Sequence, residues 1–200
     1  EAGLEDLLLR PESFYAEQKI DLRTGVTATA INASAKVVSF ADGTAEPYDV
    51  LILATGSTAR RLAIPGADRP DLLELRTLED AERLKAALSS SKEAPGKRLA
   101  VVGGGYVGLE AAASARALGA EAVVIERMDR VLARVASEPL SAFFTDLHRR
   151  HGVEILTGAE VSGFEDGGVR LADGSLMAAD AILVGVGALA REALARTAGL

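Results

Sequence analysis

The sequence predicts an α/β fold built around a parallel sheet. Three observations carry that reading. From Arg98 onward the chain runs strand, helix, strand, helix, strand. Tyr48 to Ala54 (YDVLILA) is a continuous apolar run, the pattern of a parallel strand buried on both faces. Between the strand ending at Val102 and the next helix stands Gly103-Gly104-Gly105-Tyr106-Val107-Gly108, which places Gly103, Gly105 and Gly108 in G-x-G-x-x-G spacing.

Each glycine of that turn has a physical task. Gly103 allows the tight turn, Gly105 presents no side chain to keep a diphosphate from the backbone, and Gly108 lets helix and strand approach closely. Amides of the first helical turn then face the phosphates at the positive end of the helix dipole. The next apolar run, Ala122 to Ile125, ends at Glu126, about 20 residues on, where an acid accepts from the adenosine ribose hydroxyls and repels a 2′-phosphate. NAD is therefore favoured over NADP. Arg127 and Arg130 pull the other way, since an arginine beside the acid accommodates a 2′-phosphate.

Composition narrows the classes. The chain has 200 residues, 48% hydrophobic and 26% charged, enough to bury a core. A net charge of −7 argues against a nucleic-acid binder. Cys is absent, which removes a thiolate nucleophile, a redox disulfide and any Cys-ligated metal from this segment; it also fits a reducing, cytoplasmic setting. No apolar run approaches the length of a membrane span, and no signal peptide is visible.

The elements follow in order. Arg10-Pro11-Glu12 starts a turn or short helix. Residues 26–40 alternate small or apolar with polar groups, and Ala41-Asp42-Gly43 marks a hairpin turn, which together predict a short antiparallel meander. Pro65-Gly66 and Pro70 mark a linker-like crossing. Thr77 with Asp80 three residues on is a capping-box pattern for a helix carrying Leu78, Ala81, Leu84 and Leu88 on one face. Ala94-Pro95-Gly96 is a second linker. The helix Tyr106 to Leu118 is rich in Ala, which suits close packing on a sheet. Ser137 caps the following helix, Pro139 sits in its first turn and Gly152 ends it. Val153 to Leu156, Val161 to Phe164, Val169 to Leu171 and Ala181 to Val184 are short strands, with turns at Asp166-Gly167-Gly168 and Asp173-Gly174.

Three ordered blocks resemble the FAD- and NADH-dependent ferredoxin reductases of oxygenase systems, the rubredoxin, putidaredoxin and biphenyl-dioxygenase reductase group. Tyr48 to Gly56 resembles the family block that passes the flavin. Gly103 to Glu110 resembles its nicotinamide-nucleotide block. Val184-Gly185-Val186-Gly187, followed by Ala198-Gly199-Leu200, resembles the return into the flavin domain. The resemblance implies a Rossmann-like NAD-binding domain with a parallel sheet and a β-meander, plus part of a discontinuous FAD-binding domain. Residues 1–60 would be the C-terminal part of the first FAD segment, 61–184 the NAD-binding domain and 185–200 the start of the return segment.

Site residues carry over by position. Gly103, Gly105, Tyr106, Val107 and Gly108 would meet the dinucleotide, with Glu126 on its ribose. Glu110 matches a Glu near the nicotinamide carboxamide, and Gly185 and Gly187 would let backbone approach the nicotinamide end. Thr55 and Gly56 would lie near the flavin nucleotide, Arg60 matches an Arg that contacts FAD, and the Ala28 backbone would meet adenine. Taken singly these residues have ordinary roles: a strand-end turn, a solvated arginine pair, an acid near a helix start. The family's first G-x-G-x-x-G belongs upstream of Glu1, and the acid that binds the flavin phosphate-ribityl region and the C-terminal domain covering the flavin belong downstream of Leu200, so the chain is expected to be a piece. Ala190-Arg191 also departs from the Pro-Asn or Ala-Asn that often follows Val-Gly-x-Gly.

The implied activity passes electrons from NADH through FAD to a ferredoxin, a two-iron iron–sulfur protein. Positioning is the protein's part in that chemistry, and no catalytic side chain is assigned. Arg127, Arg130, Arg134, Arg149 and Arg150 are candidates for a basic docking face, though a solvated helix surface, shared with His148 and His151, is the plainer reading. The same fold also serves NADH-binding regulatory flavoproteins resembling apoptosis-inducing factor, and flavoproteins of the NADH oxidase or nitrite reductase type.

Overall fold

The computed structural model describes residues 7–89 and 96–200. They form two units. The first holds the described residues up to Thr55 together with Arg191–Leu200; the second runs Gly56–Ala190.

In the first unit α1 (Glu12–Glu17) begins after Pro11, whose fixed φ and missing N–H suit a helix start. The meander follows as β1 (Ala28–Asn32), β2 (Val37–Phe40) and β3 (Ala45–Pro47), antiparallel in that order. Its second turn is closed by Asp42, whose Oδ1 accepts from the Thr44 amide at 2.9 Å and hydroxyl at 2.6 Å, beside Gly43 at φ +85°. Tyr48 to Ala54 departs from expectation. It forms no strand, and Val50 and Ile52 are 82% and 85% exposed. A buried parallel strand needs neighbours on both edges and layers on both faces. Among the described residues no strand pairs with this segment, which meets the meander only at its start, where Tyr48 N–H donates to Lys36 O at 2.9 Å.

The second unit opens with β4 (Ser57–Ala59). The crossing after it is pinned rather than loose. Phe164 N–H donates to Pro65 O at 2.9 Å, and a Cβ on Gly66 would overlap the Phe164 carbonyl. Leu73 bonds both ways with the sheet edge, its amide to Ile182 O and its carbonyl to Val184 N–H, each at 2.8 Å.

The capping box forms at α2 (Leu78–Leu88): Thr77 Oγ1 accepts from Asp80 N–H at 3.3 Å, and Asp80 Oδ2 accepts from Thr77 N–H at 2.9 Å. The buried face of α2 is narrower than predicted. Leu84 and Leu88 are buried, while Leu78 and Ala81 are exposed, because only the C-terminal half of the helix lies against the core. Of the second linker, residues 94 and 95 lie outside the described residues.

Then come β5 (Arg98–Val102), α3 (Tyr106–Ala117), β6 (Glu121–Glu126), α4 (Glu138–Arg150), β7 (Val153–Thr157), β8 (Val161–Glu165), β9 (Gly168–Leu171), β10 (Leu176–Ala178), β11 (Ala181–Val184) and β12 (Ala188–Ala190). A final short helix, α5 (Ala193–Thr197), belongs to the first unit. The strands β4, β10 and β12 have three residues each, too few to show a period in the sequence.

The central sheet is parallel, in the order β11-β5-β6-β7. Side chains alternate between two apolar layers. Leu99, Val101, Ala122, Val124, Ala181 and Leu183 meet Leu109, Ala112 and Ala115 of α3 on one side. Ala100, Val102, Val123, Ile125, Ile182 and Val184 meet Phe164, Val169 and Leu171 of the antiparallel β8–β10 sheet on the other. Double burial explains why these strands read as unbroken apolar runs. Truncating one such leucine to Ala costs about 2–5 kcal/mol. Small residues on α3 let it lie close to the sheet, which brings its N-terminus up to the strand ends.

Candidate dinucleotide site

Strand register assembles the site. Val102 is level with Ile125 of β6 on one side and Val184 of β11 on the other. The residues that follow, Gly103, Glu126 and Gly185, therefore lie side by side at the carboxyl edge of the sheet. The chain runs away from β5 in opposite directions here, through β6 to β7 and, later, to β11. Such a switch point is where open α/β sheets leave a crevice for ligands.

The glycines of the turn differ in what confines them. Gly103 has φ +110°, and a Cβ there would stand 2.5 Å from Gly185 O. On Gly108 a Cβ would overlap the Gly103 carbonyl and stand 3.1 Å from Val101 Cγ1. These two positions are closed by the protein itself. Gly105 is the opposite case. It is the N-cap of α3 in an extended conformation, and a Cβ there would meet nothing within 4 Å. Open space beside the first amides of a helix is what a diphosphate requires.

Gly104, the middle glycine, was not singled out by the motif. Its amide donates to Glu126 Oε2 at 2.7 Å, and its carbonyl accepts from Leu132 N–H at 2.9 Å. A Cβ on Gly104 would stand 3.1 Å from both Glu126 Cβ and Val131 Cγ1. The uninterrupted Gly-Gly-Gly was the available signal. Glu126 is half-buried, and its other oxygen, Oε1, accepts from Met128 N–H at 2.7 Å. Both oxygens are oriented by backbone, and each keeps a lone pair for a further donor.

Tyr106 and Val107 lie exposed in the first turn of α3, and Glu110 is exposed one turn further on. Gly185 N–H donates to Val102 O at 2.8 Å, continuing the sheet for one residue. Gly187 has φ +118°, and its carbonyl accepts from Arg60 N–H at 2.9 Å. The Arg60 Nε and an Arg134 guanidinium nitrogen stand 3.8 and 3.9 Å from where a Gly187 Cβ would be. Both cations thus face the segment after β11, Arg134 from the loop after β6. The sequence reading had given Arg134 no place in the site. Gly56 sits at φ +71° near Arg76. Ala28 and Thr55 belong to the first unit: Ala28 begins β1 opposite Phe40, and Thr55 Oγ1 donates to Arg191 O at 2.6 Å.

The proposed basic face is only partly a surface. Arg130 directs its guanidinium inward to Ala133 O, Ala136 O and Ser141 Oγ at 2.8–3.1 Å. This leaves Arg127, which is exposed, as the cation beside the acid. His148 is buried, with Nδ1 2.9 Å from Phe144 O and Nε2 3.2 Å from Leu109 O, so it joins α4 to α3 rather than lying in solvent. Among the described residues, no group of acids and histidines is placed to hold a metal ion, and no helix is long and apolar enough to cross a membrane.

Sheet order, glycine turn and terminal acid define an α/β domain of the Rossmann type. The chain belongs to the pyridine nucleotide-disulphide oxidoreductase family, whose model matches residues 5–200. It is 45% identical over 205 residues to the probable ferredoxin reductase CtmF of Castellaniella defragrans, a match covering 100% of this chain and 49% of the relative. Against putidaredoxin reductase CamA of Pseudomonas putida the identity is 40%, over 100% of this chain and 48% of the relative. A crystal structure of the covalent putidaredoxin reductase–putidaredoxin complex superposes with TM-score 0.89 at 40% identity, covering 100% of this chain and 49% of that one. The chain spans about half the length of the curated relatives it matches.

Proposed function

We propose that this chain carries the NADH-binding part of a cytoplasmic flavoprotein reductase that passes electrons to a two-iron ferredoxin of an oxygenase system. Residues 61–184 are its NAD-binding domain, and 1–60 and 185–200 are parts of its FAD-binding domain. The observation that carries the reading is the open face of Gly105 at the start of α3, next to a carboxylate held by Gly104 and Met128. The names of the relatives supply the acceptor, since ferredoxin reductases recur among them.

In this reading the α3 N-terminus binds the diphosphate, with Gly105 admitting it to the backbone. Glu126 accepts from the adenosine ribose, and the segment Gly185–Gly187 lies along the nicotinamide end. Thr55, Gly56, Arg60 and the Ala28 backbone are assigned to the flavin nucleotide. Bound NADH and FAD supply the hydride and one-electron chemistry; this chain contributes binding and orientation.

The test uses the full-length protein with its flavin. NADH should reduce it and turn over rapidly with a two-iron ferredoxin. Slow formation of a stable reduced complex, with no turnover on any ferredoxin, would favour a regulatory flavoprotein instead. NADPH binding more tightly than NADH would overturn the cofactor assignment.

A further inference from the structure

The geometry points to Arg130 as a positioning residue that sets affinity at the adenosine end of the dinucleotide, an inference that rests on the function proposed above. Arg130 bonds to Ala133, Ala136 and Ser141, not to the glycine turn itself. It acts on the loop between β6 and α4, which holds that turn from outside.

The end of β6 and the loop after it hold Gly104 by both of its backbone groups. Glu126 Oε2 takes the Gly104 N–H, and Leu132 N–H takes the Gly104 carbonyl. Leu132 can do so only in an unfavourable conformation. Its φ is +55°, a left-handed geometry unfavourable for a residue other than glycine, and it is buried. Such a residue persists only where its surroundings over-determine it.

Arg130 provides that determination. One guanidinium nitrogen donates to Ala136 O at 2.9 Å and to Ser141 Oγ at 2.8 Å; another donates to Ala133 O at 3.1 Å. Ala136 N–H and Val135 N–H in turn donate to Leu132 O, each at 2.9 Å. Ser141 is a buried residue of α4. The guanidinium thus ties the chain reversal at 132–136 to the helix behind it, and the reversal holds Leu132 against Gly104. All three acceptors are neutral, so the planar fork, not the charge alone, does the holding. Lys offers a compact ammonium that cannot span carbonyls and hydroxyl from one plane.

The consequence is local. Loosening the loop releases the Gly104 carbonyl and, through it, the Gly104 amide that orients Glu126 at the ribose end; the backbone of Gly185 and Gly187 is held by Val102 and Arg60, so there only the Arg134 guanidinium beside Gly187 shares the loop's movement.

The test is titration calorimetry on the full-length flavoprotein with its flavin reduced beforehand, so that no hydride is transferred, with three probes: NADH, ADP for the adenosine end, and reduced nicotinamide mononucleotide for the other. In Arg130→Lys the Kd for NADH and for ADP should rise about tenfold, the scale of one hydrogen bond to a charged group, with the mononucleotide within about twofold. Ser141→Ala, which removes one acceptor and keeps the guanidinium, should show the same pattern at about threefold. Equal weakening of ADP and mononucleotide, or unchanged ADP affinity in both variants, would overturn the inference. An unmodified protein that binds neither NADH nor ADP would instead defeat the proposed function, and the inference with it.

Discussion

Gly103 backs directly onto Gly185, so closely that a Cβ on Gly103 would stand 2.5 Å from the Gly185 carbonyl oxygen. The pair joins the ends of two adjacent parallel strands, β5 and β11. Gly103→Ala must therefore displace the segment that follows β11 and also adopt φ +110°. The expected result is a loss of at least about 2 kcal/mol of stability together with weakened NADH binding. Calorimetric melting and NADH titration check it, and an unchanged melting temperature would contradict the contact.

Gly105→Ala separates binding from stability. The backbone there is extended, and the new methyl meets nothing within 4 Å. Stability should change by less than about 1 kcal/mol. NADH affinity of the full-length protein should fall at least about tenfold, because the methyl stands where a diphosphate approaches the helix. Wild-type affinity in this variant would show that the phosphates bind elsewhere.

Glu126→Ala removes a carboxylate that accepts two backbone N–H groups at 2.7 Å each. NADH binding should weaken by about 1 kcal/mol or more, and the preference over NADPH should narrow. Glu126→Gln should restore only part of this. An amide offers one oxygen and one NH₂, so one of the two backbone donors faces another donor. Full recovery in Gln would mean that the carboxylate charge and its second acceptor are dispensable.

At α2 the expectation concerns stability alone. Thr77→Ala should cost about 1 kcal/mol, the usual worth of an N-cap side chain. Burial pushes the Asp80 carboxyl up, but hydrogen bonds from the Thr77 and Arg76 amides outweigh it and hold the group below its ordinary value of 3.8. A depressed carboxylate adds stability above that value and loses it as pH falls through the folded-state value. Asp80→Asn should therefore be less stable than wild type at neutral pH, with the gap closing below about pH 4. Urea denaturation across that range decides it; a gap that persists at pH 2 would mean the charge is not the cause.

Local sequence carried much of this structure where the signal was a bonding pattern closed within a few residues. Thr77 and Asp80 form their reciprocal cap, Asp42 and Gly43 their turn, and Gly152 ends α4 at φ +80°. The strand–helix alternation from Arg98 was equally legible, because double burial requires unbroken apolar runs. Patterns that depend on distant partners misled. Tyr48 to Ala54 has the composition of a central strand, yet pairing, not propensity, makes a strand, and the described residues offer it no partner strand.

By itself, then, the sequence determined the glycine turn, the acid after the next strand and the layered α/β arrangement, since spacing and periodicity encode each of them. Tertiary structure decided which glycine is free and which are enclosed, because that depends on neighbours such as Gly185 and Val131 that are remote in the chain. It also turned Arg130 and His148 from surface candidates into internal supports. A guanidinium or imidazole has the same letter whether it faces water or a buried carbonyl; only the packed helices around it settle which.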